Sequence, residues 1–169
     1  MNIEATEKKL REASFFLKKM IDHEQMAFED KEPFDFYLSA FLNAGRTVDY
    51  RLRHGQKEIY ETWRIDWDAA LSQAQQGLIK FMVDDRNVEV HRGGSSRTVT
   101  TENRELGPGV HKLASGANEV FGLPGWSAFI PTAAYYFTIN GTERKVTEAC
   151  EEYLGLLKQM VAKFKADHA

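Results

Sequence analysis

The 169-residue chain has a single cysteine, Cys150, which excludes an internal disulfide framework. Four prolines and twelve glycines leave no collagenous or low-complexity segment. No apolar run approaches the ~20 residues needed to span a bilayer, and residues 1–9 lack the basic-then-apolar order of a signal peptide. A cytoplasmic protein with no membrane association is expected. Excess positive charge is missing too: 22 Lys and Arg stand against 25 Asp and Glu, a formal net charge of −3. That argues against a general nucleic-acid coat protein while leaving room for a local basic cleft.

Common catalytic signatures are also lacking. The chain has no G-x-x-x-x-G-K-[ST] phosphate loop, no G-x-G-x-x-G, no C-x-x-C and no G-x-S-x-G elbow. None of the histidines (His23, His54, His91, His111, His168) has a Glu three positions before it, so a carboxylate-bridged di-iron bundle is excluded. Asp22-His23-Glu24 are adjacent on a helix and splay by roughly 100° each, which suits a solvated helix end better than one ion. No metal and no cofactor are expected.

At 43% hydrophobic the chain can bury a sizeable core, and one domain over residues 1–169 is expected. Residues 3–23 carry Leu10, Ala13, Leu17, Met20 and Ile21 at helical spacing. A second helix follows over 33–54, opened by Pro33 and stopped near Gly55. Residues 56–65 fit either an extension of it or a separate turn. A third helix is predicted from an Asp66 N-cap to about Val90, before Gly93-Gly94.

The period then changes. Residues 95–101 are rich in β-branched types, 105–125 read as loop, and 126–139 read as a strand containing Tyr135-Tyr136-Phe137. Asn140-Gly141 signals a hairpin to 142–145. A last helix over 146–166 places Cys150 on an apolar face, as a core residue. Trp63 and Trp67, four apart, read as core anchors. The expected architecture is mainly α: a four-helix up-down bundle with a β insertion, about 95–145, between helices 3 and 4.

Charge is unevenly spread. Residues 22–35 are acidic with Lys31 the only basic one, and residues 46–57 carry Arg46, Arg51, Arg53 and Lys57 against Asp49. These are either two solvated faces or, on the basic side, a groove for phosphate. The latter nominates Arg46, Arg51 and, at the end of helix 3, Arg92 as RNA-binding residues.

One constellation carries chemistry: Arg86, Asn87 and His91, within Asp84–Gly93. A guanidinium grips phosphate with a planar fork, and an imidazole moves a proton near neutral pH. With a polar amide they suit metal-free phosphodiester cleavage. Asn87 and His91 share a helix face, whereas Arg86 and His91 lie about 140° apart. They converge if the helix loosens near Gly93, or if a second chain completes the site. The same residues near a helix C-terminus also answer its dipole.

The segment Arg86-Asn87-Val88-Glu89-Val90-His91 resembles the R-x-x-x-x-H signature of the HEPN superfamily, including the polar residue directly after the arginine. The stretch from Phe36 to Arg46 is similar to the second helix of bacterial HEPN-like proteins. The Tyr135-Tyr136-Phe137 strand leading into Cys150–Leu154 resembles some of them as well. The resemblance spans most of the chain, with the six-residue motif its most specific element. The β insertion departs from a minimal HEPN bundle.

The resemblance implies a metal-independent endoribonuclease of a toxin–antitoxin or phage-defence type, acting as a homodimer that brings two motifs together. Arg86 would then grip phosphate, Asn87 would be its polar neighbour and His91 the acid/base. RNA and a nucleotidyltransferase-like antitoxin are the implied partners. Other HEPN-like proteins act as binding or assembly modules, so a catalytically silent interaction module, or a small-ligand or nucleotide binder, is the alternative.

Overall fold

A computed structural model describes residues 3–24, 30–54, 56–92, 95–112, 118–121, 125 and 127–168, with the backbone alone at 89–92, 106, 109–112 and 118–121. The chain is mainly helical, with α1 (Glu4–Glu24), α2 (Glu32–His54), α3 (Lys57–Ala70), α4 (Gln73–Arg92) and α5 (Val146–Asp167). Between α4 and α5 come β1 (Thr98–Leu106), β2 (Gly109–Lys112), β3 (Asn118–Phe121), β4 (Ala128–Ile139) and β5 (Thr142–Lys145).

Each helix contributes one apolar stripe to a common core. Ala13, Leu17 and Met20 of α1 meet Phe34, Leu38, Phe41, Val48 and Leu52 of α2, and α5 adds Ala149, Cys150, Tyr153, Leu157, Val161 and Phe164. The His23 ring beside Phe34 and Tyr37 shows that α1 and α2 run antiparallel. Thr147 bonds Glu24 at one end of α1, and Lys165 bonds Glu7 at the other, so α5 is antiparallel to α1. Gly45 lets α2 and α5 close up: a Cβ there would lie 2.8 Å from the Tyr153 ring. No helix among the described residues is long and apolar enough to cross a membrane.

Among the described residues there are five helices where the periodicity predicts four. Residues 57–70 form a helix of their own, and Asp66 lies inside it rather than at an N-cap. The break comes at Leu71, whose extended backbone (φ −79°, ψ 146°) ends α3. Ser72 and Gln75 then form a reciprocal capping box: the Gln75 N–H donates to Ser72 Oγ (3.2 Å), and the Ser72 N–H donates to Gln75 Oε1 (2.9 Å). Gln76 Nε2 donates back to the carbonyls of Asp68 and Leu71. Apolar periodicity runs unbroken through this segment, which is why it reads as one helix.

Among the described residues the β insertion holds two sheets. β1, β4 and β5 form an antiparallel sheet in the order β1-β4-β5, with β1–β4 pairing from Thr98↔Tyr136 to Leu106↔Ala128. Asn140 and Gly141 both take positive φ (51° and 79°), as a two-residue hairpin between β4 and β5 requires. Within the segment read as loop, β2 and β3 form a separate two-stranded ribbon. That segment lacks the alternation that marks a strand with one buried face. Tyr135 stacks on Phe34 with ring centroids 3.6 Å apart, and Phe137 meets Phe81 edge-on. Arg97 holds Asp35 through two hydrogen bonds and lies over the Tyr135 ring, fastening the sheet to the start of α2. Gly55, Gly93, Gly94, residues 122–124 and Trp126, expected as punctuation or strand start, lie outside the described residues.

Candidate functional site

Arg86 sits on α4 where that helix faces α2. Its Nε donates to Asn43 Oδ1 at 3.1 Å, and its Nη1 reaches Asn87 Oδ1 at 3.4 Å. Asn43 is itself oriented, because its Nδ2 donates to the Ser39 carbonyl at 3.0 Å. The acceptor end of the amide therefore faces the guanidinium. Arg86 is half-buried and forms no salt bridge among the described residues.

Four other half-buried arginines are neutralised. Arg46 bonds Asp49 (2.8 Å), Arg64 bonds both Asp49 and Asp68, Arg97 bonds Asp35, and Arg144 bonds Glu152 (2.8 Å). Asp49 is the hub of one such network, accepting from Arg46, Arg64 and the Tyr60 hydroxyl. Burial, reinforced by the Asp49 charge, pushes the Tyr60 phenol above its ordinary value of 10, so it stays a donor. Arg46, Asp49 and Arg64 line a crevice with Trp67, Val83, Tyr153 and Met160.

One residue before Arg86, Asp85 is only 2% exposed. Its Oδ1 accepts from the Ser96 N–H (2.7 Å) and hydroxyl (2.5 Å), drawing the chain that leaves α4 back onto the helix. Its Oδ2 has no hydrogen-bond partner among the described residues. Cys150 is fully buried, and burial, helped by the Asp85 charge, raises its thiol well above its ordinary value. A buried, protonated thiol is inert, consistent with a core role.

No family model, no curated protein and no solved structure matches the chain. The site therefore rests on its own geometry.

That geometry brings together Arg86 and Asn87 and adds Asn43. Asn87 is exposed. His91 and Arg92 lie in the last turn of α4, and their side chains are outside the described residues. The helix runs unbroken to Arg92, so loosening before that point does not bring Arg86 and His91 together. On an intact helix they stay about 140° apart.

Arg46 and Arg51 part company. Arg46 faces the crevice beside α3, α4 and α5, whereas Arg51 is exposed in a groove with Lys8 and Arg11 of α1. Five residues along one helix put them on different faces. Asp85 and Asn43 were missed from sequence. Asp85 continues the buried Leu78–Met82 stripe at the next spacing of three, so a polar residue at an apolar position was its signal. Asn43 had none, since its role depends on the cross-helix approach of Arg86.

Proposed function

We propose that the chain is a HEPN-like helical protein acting as a metal-independent endoribonuclease in a two-fold homodimer. Arg86 grips the scissile phosphate, Asn87 flanks it and His91 exchanges the proton. The observation that carries this reading is the state of Arg86. A half-buried guanidinium held, among the described residues, by two amide oxygens alone keeps its full charge for an anion from outside. The 140° offset of Arg86 and His91 on one helix favours a second copy completing the site. In cleavage, the RNA 2′-hydroxyl attacks the adjacent phosphorus and loses its proton. The 5′-oxygen leaves and gains one, giving a cyclic phosphate and a free 5′-hydroxyl. The chain acts in the cytoplasm within a toxin–antitoxin or phage-defence pair, with a nucleotidyltransferase-like protein as antitoxin.

The test is cleavage of single-stranded RNA in excess chelator, with DNA of the same sequence left intact. His91→Ala removes the acid/base contribution, typically a factor of 10²–10⁴. Arg86→Ala costs a factor of similar order by loss of charge stabilisation. Light scattering is expected to give a dimer at tens of micromolar. RNA left intact by the wild type, or full cleavage after His91→Ala, refutes the ribonuclease. A second reading, a silent interaction module, is favoured by the Arg86–Asn43 bond, which ties α4 to α2 as a structural brace would. A large fall in melting temperature in Arg86→Ala supports that reading.

A further inference from the structure

We infer that Asn43 on α2 is a positioning residue whose neutrality keeps Arg86 available to an RNA phosphate. The inference rests on the reading of Arg86 as the anion-gripping residue. Aspartate would fit the same space and bind a guanidinium more strongly, through a charge-assisted hydrogen bond. Carboxylates take that part at Arg46, Arg64, Arg97 and Arg144. At Arg86 the acceptor is an amide, and its orientation is fixed by the bond from Asn43 Nδ2 to the Ser39 carbonyl.

A guanidinium has five N–H donors. Asn43 and Asn87 take two of Arg86's, and three are left without an acceptor among the described residues. The arrangement fixes the direction of the side chain without cancelling its charge. A brace between α2 and α4 would grip Arg86 more strongly with a carboxylate at Asn43, at the loss of the Ser39 bond; an anion site is disabled by one.

The experiment measures binding of the full chain to a 2′-O-methyl single-stranded oligoribonucleotide, which cannot be cleaved, across a salt gradient. Melting temperatures are taken alongside. Arg86→Ala is expected to weaken binding about tenfold or more and to lower the slope of log K against log salt by ~0.7 for each phosphate no longer neutralised. Asn43→Asp is expected to match it in affinity and slope while staying folded, the charge-assisted pairing with Arg86 offsetting the lost bond to the Ser39 carbonyl. Adding Arg86→Ala to Asn43→Asp should weaken binding no further, and Asn43→Gln, which keeps a neutral acceptor, should retain most of it.

If wild type and Arg86→Ala bind alike, the site reading falls and this inference with it. If Arg86→Ala weakens binding but Asn43→Asp keeps wild-type affinity and slope, the inference alone is overturned. It is overturned equally if Asn43→Gln loses as much as Asn43→Asp. An Asn43→Asp protein that unfolds overturns it as well, because the charge-assisted pairing with Arg86 should offset the lost bond to the Ser39 carbonyl.

Discussion

His23 is 4% exposed, edge-on to Phe34 and Tyr37 at the junction of α1 and α2. Burial lowers its pKa below the ordinary 6.5, outweighing the opposing pull of Asp30 and Asp35. The folded state therefore favours the neutral ring, while the unfolded chain takes up a proton as soon as pH falls through 6.5. Stability is full above that value and declines between it and the lower folded pKa. Chemical denaturation from pH 8 to pH 5 should show this decline in the wild type and a shallower one in His23→Gln. Equal slopes in the two proteins would contradict it. From sequence, Asp22-His23-Glu24 read as a solvated helix end. That reading fails at the middle residue, because α2 folds back over α1 and covers it. Which surface residue becomes covered depends on the partner element, which spacing within one helix does not contain.

The boundary between α3 and α4 turns on two side chains. The Ser72–Gln75 box satisfies backbone donors at the start of α4, and Gln76 satisfies carbonyls at the end of α3. Ser72→Ala is expected to cost about 1 kcal/mol, measurable as a lower urea midpoint with an unchanged slope. An unchanged midpoint would show that tertiary packing, not the cap, sets the break. The S-x-x-Q pattern was present in the sequence, yet the 3.6-residue period running across it dominated the reading. For three of the helices and one hairpin the local signals sufficed. α1, α2 and α5 follow their apolar stripes closely, and Asn140-Gly141 forms the hairpin that its left-handed preference demands. Arg86 and Asn87 were legible as residue types. That Arg86 would have an amide for a partner was not, since the contact spans α2 and α4.

At the scale of the whole molecule, the helices and β4 share one core, and β5 passes into α5 without a linker: Lys145 ends the strand and Val146 begins the helix. The β1–β4 ladder closes at Leu106↔Ala128, and the β2–β3 ribbon between them pairs with itself as a separate sheet. Joining Leu106 to Ala128 by Asn-Gly in place of residues 107–127 should leave a cooperatively folding protein. Shortening the closed loop favours folding by about 2 kcal/mol, and circular dichroism with thermal melting checks the result. Loss of the cooperative transition would mean that the ribbon belongs to the core. Otherwise the ladder is a clasp with an open end, and what hangs from it is free to be lengthened, trimmed or exchanged. New binding specificities could then be tried there in evolution, or grafted there in the laboratory, while the helical body stays the same.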